Sequence, residues 1–187
     1  MTDQEAALVA IAERLDALGI PYMVIGGMAN AVWGEPRATL DVDVTVWVDE
    51  EEIGAIPERL ADLFTILPEY PVAFIRQTRV LPLETQAGMR IDVIFGMLPF
   101  EQAAIHRGVC RLVAGTSVRF CTAEDLILYK IISDRDQDLR DVRGILHRRG
   151  PTLDRDYLEP RIRELADVLE RPDIWSQYER WLHESCG

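Results

Sequence analysis

The first half of the chain alternates between helical and strand-like spacing of its apolar residues. Residues 4–18 carry apolar side chains every three or four positions, which predicts a helix, and residues 22–25 form a short apolar run that predicts a strand. The Gly-Gly pair that follows predicts a tight turn, with one or two helical turns after it in "MANAVW". The segment "TLDVDVTVWV" alternates strictly, which predicts a strand with one apolar and one polar face.

The next part of the chain continues this mixture of elements. The stretch "DEEEIGAIPERLADLF" predicts a capped helix with acidic residues in its first turn. Residues 72–83 and 89–95 predict two strands separated by the turn "ETQAG", and "VCRLVAG" with "TSVRFC" predicts a hairpin. We therefore expect an α/β (α+β) fold, with a mixed sheet flanked by helices over residues 1–121.

Residues 122–187 have a helical pattern throughout. Thr122 followed by Asp125 predicts a helix N-cap, and Pro151, Pro160 and Pro172 predict breaks between successive helices. This helical region is expected to pack on the α/β part as a second unit of the chain.

Composition and charge restrict the class of protein. Hydrophobic residues make up 48% of 187 residues, which is typical of a folded protein, and apolar runs are too short for a membrane span. The acidic, amphipathic N-terminus is unlike a signal peptide, and three scattered cysteines favour the cytoplasm. A net charge of −12 argues against a broad basic surface for nucleic acid, although a local basic groove stays open.

Three aspartates on predicted strands are the candidate chemistry. Asp41 and Asp43 project from the same face of their strand, and Asp92 lies on another apolar strand. If the two strands are neighbours, three carboxylates converge, repel one another, and are best compensated by a hard cation such as Mg²⁺. The alternative is an exposed strand face on which the aspartates pair with arginines. Gly26 and Gly27, just before a predicted helix, would let backbone N–H groups approach a phosphate closely.

These residues carry a resemblance to a known family. "GGMANAVWGEPRATLDVDV" with "RIDVIF" resembles the polymerase-β-like nucleotidyltransferase superfamily, and Arg37-x-Thr39-x-Asp41-x-Asp43 resembles the AbiEii-like and related small bacterial nucleotidyltransferases, many of them toxins of toxin–antitoxin systems. The resemblance implies that Asp41, Asp43 and Asp92 bind Mg²⁺ and catalyse transfer. It also implies that the two glycines, Arg37 and Thr39 bind the nucleoside triphosphate (NTP).

A second motif of that family lies in the helical region. "KIISDRDQDLRDV" resembles its lysine followed by R-x-K-D-x-x-D, which assigns nucleotide-binding roles to Lys130, Asp138 and Asp141. Gln137 stands where the family has a second lysine. We expect Lys130, Asp134, Asp138 and Asp141 near one face of a single helix, where Asp138 and Asp141 orient Lys130 or all four form a solvated ion-pair run.

The resemblance implies an Mg²⁺-dependent nucleotidyltransferase. The acceptor expected first is tRNA, in a toxin-type role that would imply an antitoxin partner. Small molecules such as aminoglycosides, or a partner protein, are the alternative acceptors, and an acidic cleft would suit cationic antibiotics. Two non-enzymatic interpretations stay open: a degenerate nucleotide-binding domain, which Gln137 favours, and an unrelated structural acid pair beside a helical interaction module.

Overall fold

The computed structural model describes residues 1–186, and the chain divides into two compact units. The first unit consists of Met1–Met28 and Ala38–Cys121, and the second consists of Ala29–Arg37 and the residues from Thr122 onward. No helix among residues 1–186 is both long enough and apolar enough to cross a membrane.

The first unit is built on a seven-stranded mixed sheet. Its strands are β1 (Tyr22–Val24), β2 (Asp41–Val46), β3 (Thr65–Ile66), β4 (Val80–Glu84), β5 (Arg90–Phe95), β6 (Val109–Val113) and β7 (Thr116–Phe120). The order across the sheet is β3-β4-β5-β2-β1-β7-β6, in which β2–β5 and β1–β7 are parallel and the other neighbours antiparallel. The mixed α+β class predicted from the sequence is confirmed.

Helices and a short 3₁₀ turn complete this unit. They are α1 (Asp3–Ala17), the start of α2 (Gly26–Trp33), the 3₁₀ turn Ile53–Ala55, α3 (Ile56–Leu60), α4 (Pro71–Thr78) and α5 (Pro99–Arg107). Helix α1 begins with a capping box, in which the Thr2 hydroxyl accepts from the Glu5 N–H and the Glu5 carboxylate accepts from the Thr2 N–H. Its apolar face is fully buried, as the sequence spacing predicted.

The second unit is helical. It contains α6 (Ala123–Ile131), α7 (Asp136–Arg149), the 3₁₀ turn Gly150–Thr152, α8 (Arg155–Val168) and α9 (Pro172–Cys186). Thr122 caps α6 through the Asp125 N–H, as predicted. Residues 29–37 group with these helices because the Asn30 amide donates to the Glu35 carbonyl, and Glu35 lies directly against Gly144 of α7.

Several predicted elements were wrong. Residues 72–78 belong to helix α4 because Pro71 occupies its first turn, where a missing N–H costs nothing, so only the second half of the predicted strand 72–83 is a strand. The long helix predicted after residue 48 is only the 3₁₀ turn and α3. Pro160 lies inside α8, which continues because Leu158 and Ile162 stay buried on either side of it. Helix α5 was not predicted.

Candidate active site

The three strand aspartates converge at the N-terminal ends of two neighbouring interior strands, β2 and β5. Strands β2 and β5 are parallel neighbours with Asp43 opposite Asp92, and Asp41 lies two residues before Asp43 on the same face. One carboxylate oxygen from each of Asp41, Asp43 and Asp92 lies within 4.8 Å of the others, and all three residues are partly exposed. The predicted convergence of the three carboxylates is therefore present.

The end of β1 lies beside the start of β2 at this site, because the two strands are antiparallel. The Ile25 N–H, just after β1, donates to the Asp43 carbonyl at 3.0 Å, which places the Gly-Gly pair beside the aspartates. The Thr39 hydroxyl donates to Asp41 Oδ1 at 3.0 Å, and the Thr39 carbonyl accepts from the Gln4 amide. Thr39 therefore orients one of the three carboxylates, within reach of the helix N-terminus that follows β1.

Gly26 and Gly27 are required by the close approach of these side chains. A Cβ on Gly26 would lie 2.7 Å from Asp43 Cγ, and one on Gly27 would lie 2.5 Å from Thr39 Oγ1. Gly26 also has φ of +62°, in the left-handed region that favours glycine. The glycines thus admit the Asp43 carboxylate and the Thr39 hydroxyl against the first turn of α2. Their predicted contact with phosphate stays a prediction.

Substitution Gly26→Ala is expected to displace the Asp43 carboxylate. Both Gly26→Ala and the control Gly19→Ala place a side chain at positive φ, at a cost of about 1 kcal/mol in stability. Gly19 has φ of +66° but no atom within 4 Å of a built Cβ, so only Gly26→Ala disturbs a carboxylate. Thermal unfolding with and without Mg²⁺ and NTP should show Gly26→Ala to be the less stable variant, since it adds the clash with Asp43, and should show a ligand-induced rise only for Gly19→Ala. Equal rises in both would contradict the tight packing of Asp43 on Gly26.

The three carboxylates at this site suit a divalent cation. Three carboxylates supply hard oxygen ligands on one side and leave the solvent side open, which is the arrangement that Mg²⁺ uses when it also binds phosphate oxygens. Asp92 has a cation beside it, since Arg90 Nε lies 3.4 Å from Asp92 Oδ1. Arg90 was not among the predicted site residues, although its position two residues before Asp92 on an alternating strand places it on the same face.

In the second unit, Lys130 is buried between two carboxylates. Its ammonium group lies 2.6 Å from Asp138 Oδ1 and 2.8 Å from Asp141 Oδ2, with only 6% of its side chain exposed. These residues come from α6 and α7 and not from a single helix. The prediction of one helix was wrong because α6 ends at Ile131 and α7 begins at Asp136. In the loop between them the Ser133 hydroxyl accepts from the Arg135 N–H and donates to Asp138.

Asp141 also holds Arg37. The Arg37 guanidinium donates to both carboxylate oxygens, from Nε to Oδ1 and from Nη2 to Oδ2 at 3.1 Å each. Gln137, in place of the family lysine, donates to Asp141 Oδ1 at 2.9 Å and accepts from Arg140. Asp141 therefore receives hydrogen bonds from three side chains and leaves little capacity for a ligand of its own. Asp134 lies apart, in an exposed pair with Arg171.

These contacts shift the pKa values of both carboxyl groups. Burial alone would raise the pKa of Asp138, but hydrogen bonds from Lys130 and Ser133 outweigh it and lower that pKa below the ordinary 3.8. For Asp141, burial is likewise outweighed, by hydrogen bonds from Arg37, Lys130 and Gln137, and its pKa is lowered too.

The lowered pKa values predict acid sensitivity of the helical unit. A depressed carboxyl pKa contributes stability that is fully present above pH 3.8 and is lost as the pH falls through the lower, folded-state pKa. Thermal unfolding between pH 5 and 2 should therefore show a steep fall in midpoint. Asp141→Asn should begin less stable and fall less steeply, whereas the exposed Asp167→Asn should keep the wild-type slope. A wild-type slope in Asp141→Asn would contradict this assignment.

Comparisons with solved structures identify the class of fold. No protein-family model matches the sequence, and neither does any curated protein sequence. The structure is similar to ANT(2'')-Ia in complex with adenylyl-2''-tobramycin, with a TM-score of 0.57 and 17% identity over 95% of this chain and 99% of that one. It is also similar to an antigenic nucleotidyltransferase-like protein from Paracoccidioides brasiliensis, with a TM-score of 0.55 and 18% identity over 95% and 92% of the two chains.

A third similar structure is the lincosamide antibiotic adenylyltransferase LnuA with bound lincomycin, with a TM-score of 0.51 and 13% identity over 78% of this chain and 96% of that one. The chain thus has the fold of nucleotidyltransferase-like proteins, as the resemblance implied. The narrower likeness to AbiEii-like toxins stays a prediction.

Proposed function

We propose that this protein is a divalent-metal-dependent nucleotidyltransferase that moves a nucleoside monophosphate from an NTP to an acceptor hydroxyl. The observation that carries the proposal is the triad of Asp41, Asp43 and Asp92. One carboxylate oxygen of each lies within 4.8 Å of the others, beside Gly26 and Gly27, which are the first residues of α2 and not the separate turn that the sequence predicted. A fold shared with adenylyltransferases supports it.

The three residues of the triad divide two roles in this proposal. Asp41 and Asp43 would hold Mg²⁺, which when bound neutralises charge on the phosphates and on the leaving pyrophosphate. Asp92 is the third ligand and assists removal of the proton from the acceptor hydroxyl. Thr39 keeps Asp41 in position through its hydroxyl.

The remaining predicted residues serve the nucleotide. N–H groups at the start of α2, from Gly26 and Gly27 onward, would donate to the phosphates, aided by the positive end of the helix dipole. Arg37, two residues before Thr39 in the chain, adds a positive charge for the triphosphate. Lys130, Asp138 and Asp141 contribute by fixing Arg37, since Asp141 binds both cations.

The acceptor proposed first is an RNA end, in particular tRNA. The R-x-T-x-D-x-D stretch and the Lys130 motif support it through their resemblance to toxin-type enzymes, and a toxin role would bring an antitoxin partner. A small-molecule acceptor of the aminoglycoside class is the second candidate. It is favoured by the whole-length likeness to ANT(2'')-Ia and by the net charge of −12, which attracts cations.

Transfer of label tests this function. The protein would be incubated with Mg²⁺ and each of four α-³²P-labelled NTPs, in the presence of total RNA, lysate protein or an aminoglycoside mixture, with Asp43→Asn as the matched blank. Label on one acceptor that is absent in Asp43→Asn establishes the activity and names the base and the acceptor class. No label on any acceptor, together with Mg²⁺-dependent NTP binding, would support the degenerate nucleotide-binding domain instead.

A further inference from the structure

One side chain beside the aspartate triad is not used by the proposed mechanism. Arg90 is the first residue of β5, two positions before Asp92, so its side chain lies on the same face of the sheet. Its guanidinium approaches Asp92 Oδ1 at 3.4 Å, yet 56% of its side chain is exposed, compared with 25% for Asp92. Arg90 is therefore anchored at the site and open to solvent.

The strand order shows which side of the triad Arg90 occupies. Across the sheet, β1, which leads into α2, is followed by β2 with Asp41 and Asp43, then by β5, then by β4. In the register of the sheet, Arg90 lies opposite Asp41 of β2 on one side and opposite Glu84 of β4 on the other. It thus lies on the side of the triad away from the start of α2, at the mouth of the β4–β5 hairpin.

The chemistry of transfer places the acceptor on that same side. The acceptor O–H adds to the α-phosphorus, the bond from that phosphorus to the pyrophosphate oxygen breaks, and the proton goes to Asp92 or to water. Attacking and leaving oxygens are roughly in line in such a step. Because the triphosphate is proposed to lie against the N-terminus of α2, on the β1 side, the attacking hydroxyl enters over β5.

We propose that Arg90 binds an anionic group of the acceptor, and hence that the acceptor carries a phosphate close to its reacting hydroxyl. This inference rests on the proposed nucleotidyltransferase function. The guanidinium lies beside Asp92, which is proposed to take the proton of the acceptor hydroxyl, so an anionic group bound by Arg90 lies close to that hydroxyl. A guanidinium also binds phosphate through two parallel hydrogen bonds.

The chemistry of Arg90 does not match the other acceptor class. An aminoglycoside carries no anionic group, so it offers nothing with which a guanidinium could form a charge-assisted hydrogen bond. A ribonucleotide, either as the 3′ end of an RNA or as a free mononucleotide, supplies the phosphate that Arg90 requires. Arg90 therefore favours the RNA-end acceptor over the small cationic one, within the same site.

The test compares acceptors and Arg90 variants. Transfer would be measured with total tRNA, with CMP and AMP, and with an aminoglycoside, for the wild type, Arg90→Lys and Arg90→Met. Arg76→Met serves as control, since it removes an exposed arginine of α4. Arg90→Met should raise KM for the phosphate-bearing acceptor roughly 10- to 100-fold, as expected for one charge-assisted hydrogen bond, with kcat changed less. Arg90→Lys should recover part of the loss.

Salt dependence separates a phosphate contact from a merely structural role. Loss of one phosphate contact should reduce the slope of log KM against log salt by about one in Arg90→Met but not in Arg76→Met. Transfer to tRNA and not to mononucleotides identifies an RNA end, and transfer to both identifies the nucleotide itself as sufficient; either supports the proposal. Transfer to the aminoglycoside alone, or wild-type KM and slope in Arg90→Met, overturns it.

A separate measurement of Mg²⁺ and NTP binding, detected as a shift of the thermal unfolding midpoint, distinguishes failure of this proposal from failure of the proposed function. Arg90→Met should bind both at least as tightly as the wild type does, because it keeps the three carboxylates and removes a positive charge 3.4 Å from Asp92. If Arg90→Met loses this binding, then Arg90 serves the metal site and the acceptor proposal is overturned. If the wild type shows neither binding nor transfer, then the nucleotidyltransferase function itself has failed.

Discussion

Asp43→Asn should abolish nucleotidyl transfer while leaving the fold intact. Asp43 lies at the centre of the site, opposite Asp92 in register, against Gly26 and two residues from Asp41. Converting its carboxylate to a carboxamide removes one negative charge and one hard oxygen ligand from the three carboxylates of the triad. A loss of several kcal/mol in metal-assisted charge stabilisation corresponds to a decrease of about 10³-fold in kcat/KM. The decrease should be measured with saturating Mg²⁺.

Asp49→Asn is the matched control for that experiment. Asp49 is an exposed aspartate shortly after the same strand, so its substitution makes the same chemical change outside the triad. Its kcat/KM should stay within about twofold of the wild type, as expected for a surface position. Folding of both variants would be checked by circular dichroism. Full activity in a folded Asp43→Asn would show that the triad is not the catalytic centre.

The largest effect on stability is expected for Lys130→Met. Lys130 is the single lysine of the chain, and its ammonium neutralises two buried carboxylates, those of Asp138 and Asp141. Lys130→Met removes one charge-assisted hydrogen bond from each carboxylate. Asp141 then keeps Arg37, and Asp138 keeps the largely exposed Arg135 as its remaining cation, so the loss should be about 3–5 kcal/mol. For a chain of this size, the unfolding midpoint should fall by roughly 6 to 20 °C at pH 7.

A double variant distinguishes the lost charge from lost packing. Lys130→Met with Asp138→Asn removes one positive and one negative charge, and Asp141 keeps Arg37 and Gln137 as donors. If buried charge is the cause, the double variant should be more stable than Lys130→Met alone. Arg180→Met, at an exposed position of α9, should change stability by less than about 0.5 kcal/mol. A double variant less stable than the single one would contradict the ion-pair explanation.

The sheet elements that carry the triad could be predicted because their side chains alternate. Val42 and Val44 of β2 are fully buried and the intervening Asp43 is not, which is the pattern read from the sequence. The parallel pairing of β2 with β5 could not be predicted, because the two strands are 44 residues or more apart in the chain and no local pattern indicates which strands become neighbours. Convergence of the carboxylates depended on that pairing.

Other elements could not be predicted because a local interaction outweighed the apolar spacing. The run from Ile127 through Asp141 has helical spacing, yet α6 ends at Ile131 and α7 begins at Asp136. The Ser133 hydroxyl bonds both Arg135 and Asp138 in the loop between the two helices. The contact of Arg37 with Asp141 spans 104 residues and has no signature in the sequence. Arg90 could have been singled out by the same alternation that revealed Asp92, since both lie on the polar face of β5.

The most direct test of the central claim is a crystal structure with Mn²⁺ and a non-hydrolysable NTP analogue, examined by anomalous diffraction. Mn²⁺ prefers the same carboxylate ligands as Mg²⁺, and its anomalous scattering locates the ion directly. The triad predicts an anomalous peak within about 2.0–2.5 Å of oxygens from Asp41 and Asp43, bridged to the phosphates of the analogue. Clear density for the analogue with no metal at these aspartates, or a metal bound elsewhere, would contradict the account.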